Sequence, residues 1–389
     1  MNFKDLIDKY KKGIASEEEI KIIEQEIEKF EAIEEFLDDN IELDFISTIE
    51  KKQDNNDFEK IQKGVNKRLR KVALTSVAIV LTLLFSIFYI ISPLVDSMYY
   101  NPNKTSVGNE VKDLVYDLRV FTELNLPGYY LSFPTHAENM GFGKYNIYLG
   151  RTKQLTQERD IVNMKIERGR LFSSDKSLYP EHFVYFPTYT NPESFDEESI
   201  ERNNERVMNH LIQLNPVSYV ASYLTFERDL TMEELYQLQW DYSVRFIWAG
   251  IRTESEEETY KTITGFSLEN NSGVQPYTPD AKRYPAFNYY EWLDGKHTFS
   301  NQAKAYELHY KSLLKYMIDR EETVLTLEGM PTKYEYYKSA LDYVEENGVN
   351  TFGVLVFANP EDLIELVENG PVENFGIDEV MASKRYIYW

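Results

Sequence analysis

One stretch constrains this chain more than any other: Val72 to Val95, VALTSVAIVLTLLFSIFYIISPLV, contains no charged residue, and no other stretch of the 389 residues is like it. At about 1.5 Å rise per residue, the 21 residues from Val72 to Ser92 form a helix of roughly 32 Å, enough to cross a hydrocarbon core of about 30 Å. A helix buried in a soluble core would show charges every third or fourth position on its outer face, whereas here the apolar character runs all the way round. A polar segment from Met1 to Asn66 precedes the run, which sets a signal peptide aside. We read residues 72–95 as a membrane-spanning helix, stopped by Pro93.

The flanks orient it. Lys63, Lys67, Arg68, Arg70 and Lys71 lie just before the span, while Asp96 opens the segment after it and Lys104 is the single basic residue in the next dozen. That asymmetry predicts a cytoplasmic N-terminus. Tyr89, Tyr99 and Tyr100 sit near the outer end, where amphipathic rings favour the headgroup layer. The expected layout is a cytoplasmic helical domain at 1–49, a polar then basic linker at 50–71, the span at 72–95, a polar tether at 96–110 and an extracytoplasmic domain at 111–389.

The net charge of −23 is divided as −10 over Met1 to Lys60, +5 over Ile61 to Val95 and −18 over the remainder, so both soluble parts are acidic. Direct nucleic-acid binding is disfavoured for both, because phosphate contacts need basic side chains. The chain has no cysteine, which removes disulfides, thiolate metal sites and thiol nucleophiles.

In the N-terminal part, Phe3, Leu6, Ile7 and Tyr10 fall on one stripe of a short helix that Gly13 ends. Ser16 with Glu19 forms a capping box that starts a second helix, on which Ile20, Ile23, Ile27, Phe30, Ile33 and Leu37 keep the helical spacing. So small an all-α module can hardly bury both stripes on its own. Periodicity alone leaves two readings: a hairpin that packs on itself or dimerises, or stripes that dock onto a partner protein while acidic faces meet a basic surface.

These residues also resemble a family. FKDLIDKY at Phe3 to Tyr10, Lys12-Gly13, Ser16 to Glu19 and EIEKFEAIEEFL at Glu26 to Leu37 are similar to the N-terminal domain of the sigma factor regulators, single-pass anti-sigma factors of low-GC Gram-positive bacteria. The resemblance implies that the cytoplasmic helices hold an extracytoplasmic-function sigma factor at the membrane, with Phe3, Leu6, Ile7, Tyr10, Ile20, Ile23, Ile27, Phe30, Ile33 and Leu37 as its contact residues. Zinc-containing anti-sigma domains need a His and paired Cys, and this module has neither type, so no metal and no cofactor is expected in the grip.

In the outer part, Val111 to Arg170 reads as strands and loops, and His182 to Tyr189 as a strand ended by Pro187. A helical stretch follows from Asn191 through Leu214. Ser218 to Thr253 reads strand, helix capped by Thr231 and Glu234, strand. Thr351 to Tyr386 repeats the rhythm, with Asn359-Pro360 opening its helix. The expectation is an α+β domain with a β-α-β pseudo-repeat in which Phe226 and Phe357 are equivalent, separated by helices at Asn301 to Glu321 and Lys333 to Asn347. YVASYLTFERDLTMEELYQL from Tyr219, with Trp248 and Gly265-Phe266, resembles the C-terminal domain of the same family, which implies a sensing or partner-binding domain rather than an enzyme.

Catalytic signatures are sparse. There is no G-x-S-x-G, no H-E-x-x-H and no Walker loop, and Gly141-x-Gly143 lacks the third glycine of a dinucleotide turn. His136, His182, His210, His297 and His309 sit in different segments without ligand spacing. The acidic runs Glu254 to Glu258 and Asp196 to Glu198 read as solvated turns before they read as cation sites. Tyr289 to Trp292 and Tyr334 to Tyr337 are candidates for stacking on a glycan, weighed against chance clustering among thirty tyrosines. The partner that the resemblance implies is an extracytoplasmic-function sigma factor; membrane lipid around the span and a second membrane protein for signal relay complete the expected partners. The alternative is a membrane-tethered envelope enzyme or glycan-binding protein whose tail is only an anchor.

Overall fold

The computed structural model describes residues 7, 9, 11, 15–39, 55–107, 111–179, 186–254, 261–269, 279–329 and 331–383, and for 34–39 and 55–60 the backbone alone. The chain divides into two compact units, Met1–Thr82 and Leu83–Trp389.

In the first unit the capping box forms as the sequence predicts. The Glu19 amide donates to Ser16 Oγ at 3.3 Å and the Ser16 amide to Glu19 Oε2 at 3.0 Å, which starts α1, Glu17–Asp39. Lys9 Nζ donates to Glu19 Oε1 at 2.7 Å; that bond, with those from Ser16, holds the Glu19 carboxyl below its ordinary range.

The second helix, α2, is Asn55–Ser86 and enters the charge-free run. Among the described residues the helix over Ile61–Ser97 is the one candidate long and apolar enough to cross a membrane. Its helical path does not stop at Pro93. A π-helical turn at Ile87–Ile91 leads into α3, Ser92–Ser97, with proline in the first turn of that last segment. There its missing N–H is not demanded by an α-helical ladder, and the widened turn gives its ring room. The start of the expected polar tether is also structured: Asp96 and Tyr100 are buried, and Tyr100 Oη donates to Asp117 Oδ2 at 3.0 Å.

The segment expected to open with strands begins instead with α4, Asp113–Asn125. Leu114, Leu118, Phe121 and Leu124 keep helical spacing, but eleven of its residues are buried, so no polar face advertises the period. The strands β1 Tyr129–Gly141, β2 Lys144–Lys153, β3 Arg159–Glu167 and β4 Arg170–Ser174 then form an antiparallel meander. Of the strand expected at 182–189, residues 182–185 lie outside the described set. Phe186 is buried, and Pro187–Thr190 is a short helical turn, as fits a proline that cannot donate within a ladder. Helix α5 is Glu197–Ile212, capped by Asp196, which accepts from the Ser199 amide at 2.9 Å.

The second sheet has the order β7-β6-β8-β5-β9, all antiparallel. Its strands are β5 Tyr219–Thr231, β6 Arg245–Ile251, β7 Thr264–Ser267, β8 Asn350–Ala358 and β9 Val372–Met381. Helix α6, Met232–Asp241, joins β5 to β6; α7 Phe299–Asp319, α8 Glu321–Glu328 and α9 Pro331–Asn347 precede β8; α10, Pro360–Asn369, joins β8 to β9. Both strand-helix-strand segments are split, because β5 and β6 flank β8 while β8 and β9 flank β5. Phe226 and Phe357 are not equivalent: Phe226 packs in the larger core with Val220 and Leu224, and Phe357 in a separate cluster with Tyr223, Trp248 and Phe352. The larger core draws residues from both sheets and from helices α4, α7, α9 and α10.

Thr231 and Glu234 form both bonds of the predicted capping box at the start of α6. Arg228, followed by Thr231, holds Glu234 down to about 2. A depressed carboxylate adds stability above its unfolded pKa and loses it as pH falls toward the folded value. Thr231→Ala is expected to lower the unfolding free energy by about 1 kcal/mol at neutral pH, read from a denaturant midpoint.

Candidate functional site

The stripe on α1 is one candidate. Ile7 is helical and half-buried; Phe3, Leu6 and Tyr10 lie outside the described residues. Ile20 is half-buried and Ile23 fully buried, whereas Ile27, Phe30 and Ile33 are 44%, 72% and 56% exposed. Leu37 belongs to α1. The N-terminal end of the stripe is therefore covered and the middle presents apolar side chains to solvent, flanked by exposed Glu24, Glu26, Glu28 and Glu31. Such a surface has apolar area to gain by docking and a negative rim to steer a basic partner.

The second candidate is a cleft of about 670 Å³ in the second unit, with aromatic lining from Tyr129, Tyr223 and Phe357. Charges of both signs converge on it. Arg151, almost wholly buried, donates from Nε and Nη2 to Asp160 at 3.0 and 2.8 Å and from Nη1 to the Leu178 carbonyl at 2.5 Å, with its guanidinium 5.6 Å from the Tyr129 ring centre. Lys176 also pairs with Asp160, and Lys153 lies 3.7 Å from Glu379. Burial opposes the Asp160 charge, but Lys176 and Arg151 hold its carboxyl below the usual range. Burial pushes Asp378 and Glu379 up despite the nearby Lys153.

These carboxylates should answer oppositely to neutralisation. Asp160→Asn removes a charge that stabilises above its unfolded pKa and leaves a buried guanidinium half-paired, so a loss of about 2 kcal/mol is expected at pH 7, shrinking as pH falls through the carboxylate range. Asp378→Asn removes a charge whose contribution declines as pH rises, and the expected change is nil or a gain. Thermal unfolding of both variants at pH 7 and pH 4 checks the pair.

Apart from Ala221 and Tyr223, which lie in the YVASYLTF stretch, the cleft residues belong to no motif, and they reach it from positions between 127 and 379 only because the two sheets come together. The tyrosine clusters fare differently. Tyr289 and Tyr337 are core residues, Tyr336 is engaged with Thr253 and Thr264, and only Tyr290 and Trp292 keep substantial exposure. Neither cluster is an open stacking groove. Of the histidines, His309 is buried, with Nε2 2.8 Å from Glu123 and Nδ1 2.9 Å from the Ala286 carbonyl, and His136 stacks on Tyr148. His182 lies outside the described residues, as do 255–258 of the acidic run, and Asp196 serves as a helix cap. Among the described residues no group of three His, Asp or Glu is placed to hold a metal ion.

Residues 211–379, which begin at the end of α5 and take in β5 to β8 and most of β9, match the family described as sigma factor regulator C-terminal. The probable anti-sigma-M factor YhdL of Bacillus subtilis (strain 168) is 24% identical over 390 aligned residues, covering 97% of each chain. No solved structure matches significantly.

Proposed function

We propose, from the premise that this chain is a sigma factor regulator, that it is a membrane-anchored anti-sigma factor which sequesters an extracytoplasmic-function sigma factor through its cytoplasmic helices and releases it on an envelope signal. The observation that carries the reading is the full-length likeness to an anti-sigma factor, which spans the helical N-terminal part and the apolar helix as well as the matched outer domain.

The physical argument is one of surfaces. A sigma factor must present basic patches to DNA and apolar patches to polymerase. The exposed Ile27, Phe30 and Ile33, set among glutamates, offer a complement to both. With the basic flank of the span inside, that stripe faces the cytoplasm and the cleft faces the envelope. We assign the outer domain a binding rather than a catalytic task. One span relays a signal poorly by a push alone, so relay through proteolysis, a change of oligomer or a second membrane protein belongs to the proposal.

Three measurements test it. A tagged chain solubilised from membranes should co-purify an extracytoplasmic-function sigma factor, and its deletion should raise transcription from that factor's promoters. Externally added protease should remove the outer domain from intact protoplasts and spare an N-terminal tag. A sigma factor that stays in the soluble fraction, with unchanged transcription after deletion, would refute the assignment.

A further inference from the structure

The hairpin between β1 and β2 meets the membrane helix at a height where the helix is still inside the apolar run. The Phe142 amide donates to Ser92 Oγ at 3.0 Å, and the Phe142 ring lies edge-on to Phe88 with centroids 6.3 Å apart. One turn further out, the buried Asp96 accepts from the Gly143 amide at 2.6 Å through Oδ1 and from Asn139 Nδ2 at 2.9 Å through Oδ2. Gly141, Phe142 and Gly143 all have positive φ, which wraps the turn tightly around these acceptors; a Cβ at Gly141 would stand 2.9 Å from Ser92 Oγ. Holding a phenylalanine at φ 56° costs energy that a free hairpin would avoid, and here it sets the ring against the helix.

Phe88 and Ser92 fall in the last turn of the stretch that fills the hydrocarbon core. A turn bonded to Ser92 and packed on Phe88 is therefore at the depth of the core boundary. Its chemistry suits that place. Met140, beside the turn, is 59% exposed, and the adjoining helix exposes Phe88, Ile91, Leu94 and Met98. Just behind the apex the β3–β4 turn is tied in by the Arg168 amide, which donates to the Gly143 carbonyl at 2.7 Å, and Arg168 and Arg170 are exposed beside it. Apolar apex followed by cationic shoulder is the order in which a bilayer presents acyl chains and anionic headgroups.

We propose that the β1–β2 hairpin is a second membrane contact, with Met140 and Phe142 seated in the interface of the leaflet facing the large domain and Arg168 and Arg170 against anionic headgroups. The outer domain is then clamped to the bilayer surface rather than swinging on a tether. This rests on residues 72–95 being a membrane span, and the test separates the two.

The cysteine-free chain allows single labels. Full-length Met140→Cys, Val80→Cys and Glu158→Cys, each carrying a nitroxide, are reconstituted in phosphatidylglycerol–phosphatidylethanolamine vesicles, and collision with oxygen is compared with collision with a water-soluble nickel chelate. The expected result is a label at 140 shielded from the chelate several-fold relative to 158, in the β2–β3 turn at the other end of the sheet, with 80 deepest of all. Arg168→Glu/Arg170→Glu should weaken the shielding at 140 in anionic vesicles and leave it unchanged in phosphatidylcholine. A label at 140 as accessible as that at 158, with 80 still deep in lipid, overturns the hairpin contact alone; a water-exposed label at 80 overturns the span and the contact together.

Discussion

Phe30→Asp/Ile33→Asp is expected to abolish repression of the cognate promoters and to leave the sigma factor in the soluble fraction. Both side chains project from the middle of α1 and are 72% and 56% exposed, so the change costs the helix itself only a few tenths of a kcal/mol per residue. In the complex the cost is of another order. If the stripe is the grip, two aromatic and β-branched anchors are replaced by carboxylates with no partner in an apolar contact, and central anchors of interfaces cost about 2–4 kcal/mol each when removed. One such loss weakens binding about 30-fold to 1,000-fold. Phe30→Leu, which keeps apolar area, should retain most of the repression. Promoter activity and co-purification from membranes read the effect directly. Unchanged repression in the double aspartate variant would mean that the stripe packs within its own module, and the contact surface would have to be sought elsewhere on the N-terminal part.

The two features that carry this reading were legible for different reasons. The candidate span declared itself by length and lack of charge, which need no tertiary context. The capping boxes at Ser16 and Thr231 were legible because both partners lie three residues apart, and both form as read. The strand-helix-strand segment around Thr231 followed from that capping chemistry, and the one around Pro360 from a proline in the first turn of its helix. What escaped was set by neighbours distant in sequence. Asp113–Asn125 hides its helical period because helices and sheets cover nearly every face of it. Pro93 reads as a terminator only if the helix before it is α-helical throughout, and the π turn at Ile87–Ile91 removes that assumption. Tyr289 and Tyr337 look like a recognition surface in the sequence and are core in the fold, whereas Tyr129 lines the cleft without any sequence signal and Tyr223 does so from a stretch read only as a strand. The exposed part of the stripe could not be told from its covered part either, since Ile23 and Phe30 occupy like positions in the same period.

The stability of the domain that follows the apolar helix should hinge on Arg320. Asp113 and Asp117 on α4 are both fully buried, and Arg320, between α7 and α8, is the cation that meets them: Nε and Nη2 donate to Asp117 at 3.0 Å each, and Nη1 lies 3.3 Å from Asp113. Tyr316, Thr323 and Tyr100 complete the shell of Asp117 with hydroxyl donors at 2.8, 3.2 and 3.0 Å. Through Tyr100 the same carboxylate fastens the chain just beyond the apolar helix to the domain core. Arg320→Ala strands two carboxylates in the interior, and breaking a buried pair from one side costs about 3–5 kcal/mol. Lysine at this position keeps the charge but not the fork, so a smaller loss is expected. The pH dependence identifies the cause. Burial raises Asp117 even with Arg320 beside it. A carboxyl whose folded pKa lies above its unfolded value favours the fold when protonated and loses that advantage as pH rises. Without the guanidinium the rise is larger, so the deficit of Arg320→Ala should be greatest at neutral pH and narrow as the medium is acidified and Asp117 takes up its proton. Denaturant midpoints of the full chain in detergent, at pH 7 and pH 5, measure both quantities; a deficit that is small or independent of pH would mean that the two aspartates are satisfied by their hydroxyl and amide donors and that Arg320 is a peripheral cation.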